Sequence, residues 1–317
     1  MIAASVSLPA DHAAARPQVG LVRRSLGFAL DLLILTKYRI SAVALFTGYA
    51  AIAIHGTYAT DWNHIWPLLL AMFCAGGSAN TLNQVFERGY DAVMTRTRHR
   101  RPLPDGRVQP WQAVVWAVVL LLAAVAINLW IYHSPLGAWL SVGLVLYYSF
   151  FYTLWLKRRH HLNIVIGGVP GAMGPLLAWA GLTGTLTAAP IAMFLIIFMW
   201  TPPHVWALAI RIRDDYARAG IPMLPVVKGI DETTRQIFFY TVALVAITIA
   251  LPFLDAAFRR GWAYPGLALV LGGVFLLWAW RLWRRRPVMP TMPLFRFTIA
   301  YLCSLFAGLT IDGLMSR

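Results

Sequence analysis

Apolar residues run along this chain in long stretches, and polar residues gather in the gaps between them. Nine such stretches can be drawn, at about 36–55, 64–86, 111–132, 136–156, 162–181, 187–210, 237–256, 262–283 and 294–314. Each approaches the roughly 20 residues that a helix needs to cross the hydrocarbon of a bilayer. In lipid the backbone N–H and C=O groups find no water, so a crossing segment satisfies them within its own helix. The pattern predicts an all-α, polytopic membrane protein with about nine transmembrane helices. Residues 26–317 read as a single transmembrane domain. Residues 1–25 read as a cytoplasmic N-terminal tail: they carry Asp11, His12, Arg16, Arg23 and Arg24 and lack the apolar centre of a cleaved signal peptide.

Composition supports that class. Hydrophobic residues make up 59% of the 317 and charged residues 12%, against about 25% charged in an ordinary soluble domain; mean hydropathy is +0.65. A net charge of +15 would by itself raise nucleic acid as a partner. The placement of the charge removes that reading, because Lys and Arg sit in short loops between spans, where they set topology. With the N-terminus in the cytoplasm, only Arg259, Arg260 and Arg317 of the 27 basic residues fall on the far side. The positive-inside rule then puts the C-terminus outside, in a multi-pass protein of the cell inner membrane. Cys74 and Cys303 both lie inside spans, with no CxxC or CxxCH spacing, and read as small buried thiols.

The second stretch ends in NQVFERGYDAVMTRTRHRRPLP, residues 83–104. If the helix continues through it, Asn83, Glu87 and Asp91, spaced i, i+4 and i+8, share one face. Two carboxylates and an amide oxygen form a hard-oxygen donor set of the kind that holds Mg²⁺, which usually completes its shell with water and substrate phosphates. Arg88, Arg96, Arg98, Arg100 and Arg101 follow. They would repel a bare cation and suit one that arrives with an anion, since guanidinium matches phosphate oxygens. The combination points to a Mg²⁺–diphosphate site at the membrane surface. A solvated ladder of Glu and Arg at a helix end is an equal reading of the same spacing.

A second polar cluster lies in WTPPHVWALAIRIRDDYARAGIPMLPVVKG, residues 200–229. Pro202 and Pro203 remove two backbone donors from the sixth span, and inside a membrane such a break is tolerated beside a cavity. His204, Arg211 and Asp215, at i, i+7 and i+11, fall near one helical face. Helical phase favours Asp215 over Asp214 as the acid that turns inward. For His204 alone, a core histidine bonded to a carbonyl is the stronger reading.

The stretches 83–104, YTLWLKR (152–158), NIVIGGVPGAMGPLLAW (163–179), TPPHVWALAI (201–210) and DYARAGIPMLPVVKG (215–229), taken in order, closely resemble the UbiA-type intramembrane prenyltransferases, and within them the protohaem IX farnesyltransferases. The resemblance implies helices around a central cavity, a Mg²⁺-dependent site under cytoplasmic loops, and farnesyl diphosphate and haem B as substrates, with the product passed to a haem A synthase or a terminal oxidase. Asn83, Glu87 and Asp91 match the first acidic motif and Asp215, with Tyr216, the second, as metal ligands. His204 falls in a matching stretch and joins these as a candidate catalytic residue. Arg88, Arg96, Arg98, Arg101, Lys157 and Lys228 are the candidates for holding diphosphate, and Asn163 also falls in a matching stretch. Position 87 is Glu here, where Asp also occurs in the family.

Such a reaction needs a dry cavity with aromatic faces toward an allylic cation. Trp200, Trp206, Tyr147, Tyr148 and Tyr152 are candidates. Gly167, Gly168, Gly171 and Gly174 have the small-residue spacing of close helix packing, with room for a porphyrin or prenyl tail as the alternative. No histidine is assignable as an axial haem ligand from the sequence, and His204 is the one to test for iron contact. Two other functions fit parts of the pattern: a related prenyltransferase acting on a quinone precursor or chlorophyll-type ring, and a haem or lipid transporter. The acids cluster at one face rather than at the bilayer midplane, which argues against a transporter.

Overall fold

The computed structural model describes residues 21–95, 97–157, 159–254, 258, 261–285 and 290–315. Among them every regular element is a helix. Among the described residues eight helices are long and apolar enough to cross a membrane: α3 (Trp62–Val93), α4 (Pro110–Ile131), α5 (Pro135–Leu156), the pair α6 (Asn163–Ala172) and α7 (Gly174–Thr183) counted as one, α8 (Ala188–Arg211), α11 (Gly229–Leu254), α12 (Ala263–Arg284) and α13 (Thr291–Met315). The first stretch drawn from the sequence is also a helix, α2 (Tyr38–His55), whose ends carry Arg39 and His55 and lower its mean hydropathy. An apolar helix not drawn from the sequence, α1 (Leu21–Leu35), precedes it. Two short helices, α9 (Arg213–Arg218) and α10 (Leu224–Val227), connect α8 to α11.

Sequence explains the main boundaries. Asp61 caps α3, its side chain accepting from Asn63 N at 3.0 Å. The 32 residues of α3 span about 48 Å at 1.5 Å each, well beyond the roughly 30 Å of hydrocarbon. The surplus is the segment that carries Asn83, Glu87 and Asp91. Ser134 caps α5 by accepting from Gly137 N at 3.0 Å, with Pro135 following as a natural first helical residue.

The last ten residues of α5, Tyr147–Leu156, are wound as a π-helix. Ordinary α winding would place Tyr148 and Thr153 about 140° apart, at 100° per residue. Winding with i→i+5 bonds stacks them instead: Thr153 Oγ1 donates to Tyr148 O at 2.6 Å, and Lys157 N donates to Tyr152 O at 2.8 Å. As a result Thr153 and Lys157 both meet α3, at Asn83 and Glu87, and Tyr148 meets Lys37 beside them.

The fifth stretch breaks at Met173 between α6 and α7, next to Pro170 and Pro175. At Gly174 a Cβ would lie 2.6 Å from Ala44 O and 2.7 Å from Thr47 Oγ1, so α7 can sit against α2 only with glycine there. A Cβ on Gly167 would strike the Tyr152 ring and one on Gly168 would press on Thr201 at 3.3 Å, whereas Gly171 faces open space. Three of the four glycines thus serve close packing.

The helices close on themselves. α3 packs against α4 and α5, α8 against α6 and α11, α11 against α12, and α12 against α13. α13 then returns to α2, where Gly313 brings the two backbones so near that a Cβ would lie 2.6 Å from Ala53 O. Trp206, Tyr264, Tyr301, Phe275 and Phe306 are fully buried within this second half. Asp312 of α13 caps α12, accepting from Ala263 N at 3.1 Å and Tyr264 N at 2.8 Å. Large apolar side chains such as Trp130, Trp139, Phe253 and Leu269 stand exposed on the outside, as lipid-facing positions do. Both cysteines are free.

Candidate active site

The end of α3 behaves as the spacing predicts. Asn83, Glu87 and Asp91 lie on one face, and all three are buried, at 1%, 6% and 3% exposure. Burial of two carboxylates is costly unless they are paired, and each has a cation. Lys157, at the end of the π-wound segment, donates to Glu87 Oε1; Arg101, from the loop after α3, donates to Asp91 Oδ2 and lies 4.0 Å from Glu87 Oε2. Thr97 ties that loop to the helix end, donating to Asp91 O at 2.8 Å. Further along the loop, Arg107 pairs with Asp31 of α1 and with Asp105 at 2.8 Å. Glu87, Tyr90, Asp91, Met94, Arg101, Thr153, Lys157, Tyr216 and Ile221 line a partly open cavity. Burial works against the charge on Lys157, but Glu87, through its charge and its hydrogen bond, together with Tyr148 and Tyr216, holds the pKa above the ordinary lysine value.

One cation in this group escaped the sequence reading. Lys37, between α1 and α2, donates from Nζ to Asn83 Oδ1 at 2.7 Å, stands 3.5 Å from Tyr148 OH, and lies over the Tyr148 ring at 5.7 Å. Burial of its head group, with Arg101 adding repulsion, pushes its pKa down to about 7. Asn83 is thereby held at both ends, because its Nδ2 donates to Thr153 Oγ1 at 3.0 Å. Asn163, fully buried, donates to Lys157 O at 3.3 Å and steadies the turn that presents Lys157.

The other basic residues named from sequence stand apart. Arg88, Arg98 and Lys228 are exposed and absent from the cavity lining, and Arg96 lies outside the described residues. The second acidic motif differs from expectation in its backbone. α8 ends at Arg211, Ile212 breaks the helix at φ −106°, ψ 28°, and Asp215 belongs to α9. His204, Arg211 and Asp215 therefore do not share one helical face. Asp214 is exposed; Asp215 is 15% exposed and pairs with Arg218, while its neighbour Tyr216 reaches the cavity. Among the described residues no three acidic, His or Cys side chains are drawn together as a metal centre.

His204 is held firmly. Its ring stacks between Trp200 (4.2 Å, 16°) and Phe295 (4.6 Å, 21°). Nδ1 lies 2.7 Å from Thr298 Oγ1, and that hydroxyl gives its proton to Phe295 O at 2.6 Å. Nδ1 must then carry the proton it shares with Thr298, which leaves Nε2 with the lone pair. Trp200 Nε1 donates to Thr298 O at 2.7 Å, so one residue of α13 fixes two rings of α8. Of the other candidate aromatics, Tyr148 and Tyr152 stack at 5.5 Å beside the cavity, whereas Trp206 packs against Tyr240 and Tyr147 donates to Ile166 O at 2.9 Å.

Residues 44–302 match the model of the UbiA prenyltransferase family. The chain belongs to the UbiA prenyltransferase family.

Its curated relatives sharpen the placement. A protoheme IX farnesyltransferase of Azotobacter vinelandii is 42% identical over 282 residues, covering 89% of this chain and 93% of the relative. One from a Nostoc species is 42% identical over 286 residues, covering 88% and 87%. Among solved structures, a digeranylgeranylglyceryl phosphate synthase superposes with a TM-score of 0.75 at 16% identity, over 91% of this chain and 99% of that one. A UbiA homologue of Archaeoglobus fulgidus, solved with GPP and Mg²⁺, gives 0.59 at 17% identity over 90% and 99%. These two likenesses establish the fold. This UbiA-family prenyltransferase is thus a multi-pass membrane protein, and its own residues decide whether a divalent ion suits it. Magnesium is usually held by one or two carboxylates plus substrate phosphates, not by an all-protein cage. Glu87 and Asp91, with the Asn83 amide beside them, fit that habit.

Proposed function

We propose that this chain transfers the farnesyl group of farnesyl diphosphate to a vinyl group of haem B, giving haem O, at the cytoplasmic side of the cell inner membrane. The convergence of Glu87, Asp91, Lys157, Arg101 and Lys37 at the buried end of α3 carries this reading. The identity with curated protoheme IX farnesyltransferases supports the choice of substrates. Mg²⁺ bound by Glu87 and Asp91, with Asn83 and the second-motif Asp215 as further ligands, would neutralise charge gathering on the departing diphosphate.

The protein's own groups do the rest. In the structure Lys157 and Arg101 rest on the carboxylates they neutralise; with substrate present they turn to phosphate oxygens, where their charges favour departure. The C1–O bond breaks and its electron pair leaves with the diphosphate. C1 then bonds to the terminal vinyl carbon of the haem, and water adds to the carbon left electron-deficient, releasing a proton. Tyr148 and Tyr152 offer ring faces to the allylic cation, and the apolar helices around them keep water away until the new C–C bond has formed. α9 is the mobile arm in this reading, and it would carry Asp215 away from Arg218 toward the acids of α3.

The test is direct. Purified protein receives Mg²⁺ and farnesyl diphosphate together with either haem B or an aromatic acid, and products are read by mass. Haem O from the first mixture alone is expected. A prenylated aromatic acid in its place would assign the chain to quinone-precursor chemistry.

A further inference from the structure

Lys37 sits in a backbone conformation that side-chain-bearing residues rarely adopt. Its φ of 53° and ψ of 45° are left-handed, shared among the described non-glycine residues by His133 in sign of φ. That conformation is unfavourable for an L-residue, whose Cβ crowds the following carbonyl oxygen, so something holds it. Two amides of α3 do so. Gln84 Nε2 donates to Leu35 O at 2.8 Å and Asn80 Nδ2 to Thr36 O at 3.1 Å; Ser41 Oγ adds a bond to Thr36 O at 3.2 Å. Asn80, Asn83, Gln84, Glu87 and Asp91 are all residues of α3. The helix that bears the carboxylates therefore also fixes the turn that delivers Lys37 over Asn83.

The cations differ in what they rest on. Lys157 and Arg101 each meet a carboxylate. Lys37 meets an amide oxygen and a phenol, and among the described residues it makes no salt bridge. A strained, doubly pinned turn that carries an enclosed ammonium group with no carboxylate in direct contact is an arrangement completed by an incoming anion.

We propose that Lys37 is a third cationic ligand of the substrate diphosphate, placed by the left-handed turn that Asn80 and Gln84 pin. This rests on the reading of the cavity as a prenyl diphosphate site. Asn suits a left-handed residue better than most, so Lys37→Asn removes the charge while keeping the turn. The probes are a non-reactive farnesyl thiodiphosphate and farnesol, which lacks phosphate, each titrated with Mg²⁺ present into wild type, Lys37→Asn, Lys37→Arg and Gln84→Leu. Loss of a charge-assisted contact predicts thiodiphosphate binding about 10- to 100-fold weaker in Lys37→Asn, a smaller loss in Lys37→Arg and Gln84→Leu, and farnesol binding unchanged throughout. Equal thiodiphosphate affinity in wild type and Lys37→Asn overturns the assignment of Lys37, as does an equal loss for farnesol. If wild type itself fails to bind the thiodiphosphate, the cavity reading falls, and this inference falls with it.

Discussion

The two acidic motifs of this protein occupy helix ends of opposite character. On α3 the helix runs unbroken past the acids, which are buried and paired with cations from the end of α5 and from the following loop, while Lys37 of the α1–α2 turn holds Asn83 on the same face. On α8 the helix stops at Arg211, and Asp215 sits on a six-residue helix with an exposed arginine for a partner. One arm is built before substrate arrives. The other is the more loosely held, because a short helix with no buried side chain opens at little cost. On the proposed function this contrast divides the labour: α3 would hold the diphosphate end in place, and α9 would close on it.

The largest expected effects test the fixed arm. Glu87→Gln and Asp91→Asn each keep size and hydrogen bonding while removing the charge. Each should lower haem O formation about 10³-fold or more, with helix content by circular dichroism unchanged. Near-normal turnover in either variant would remove α3 from the chemistry. Asp215→Asn should cost about 10²-fold. A double variant, Asp91→Asn with Asp215→Asn, should lose much less than the product of the two losses, because groups serving one ion do not act independently. Full additivity would mean that the two arms never meet. Arg218→Ala, which frees Asp215, should leave turnover at or above wild type.

The contrast between the arms also accounts for what could be read from sequence. Residues i, i+4 and i+8 share a face wherever an α-helix persists, and α3 persists through Asp91, so Asn83, Glu87 and Asp91 were legible. The same rule applied to His204, Arg211 and Asp215 failed at Ile212, where no proline or glycine marks the break. Thr153 and Tyr148 join the site through π winding, which shifts every residue off the expected phase and has no clear sequence mark. Lys37 reaches Asn83 across 46 positions of chain by way of a left-handed lysine, a conformation sequence patterns assign to glycine or asparagine. The spans themselves were legible, because hydrocarbon demands long apolar runs whatever the packing. Which arginine faces the cavity was not: Arg88 is turned outward on α3, and the shape of the following loop brings in Arg101 while leaving Arg98 exposed.

A smaller effect separates the α8 arm's fixed part from its mobile part. Thr298→Val keeps the shape at 298 but removes the group that fixes the His204 tautomer and ring. Haem O formation should fall about tenfold, the scale of one lost hydrogen bond, while farnesyl thiodiphosphate affinity stays unchanged. A changed optical spectrum of bound haem in both His204→Ala and Thr298→Val would place Nε2 at the iron. An unchanged spectrum in both, with activity lost, would confine His204 to shaping the wall.

The smallest functional effect belongs at the opposite end of the bundle, where α13 meets α12 far along the chain from either acidic motif. Asp312 accepts from the first backbone N–H groups of α12, so Asp312→Ala strips that helix of its cap. Loss of a cap costs about 0.5–2 kcal/mol, visible as earlier unfolding in a denaturant titration in detergent micelles. The fixed arm on α3 should not register it, because α12 touches neither α3 nor α9 closely: turnover and thiodiphosphate affinity at low temperature should match wild type. A turnover loss comparable to that of Asp215→Asn would instead show that the mobile arm depends on how α12 and α13 seat, and that its freedom is set by the whole second half of the bundle.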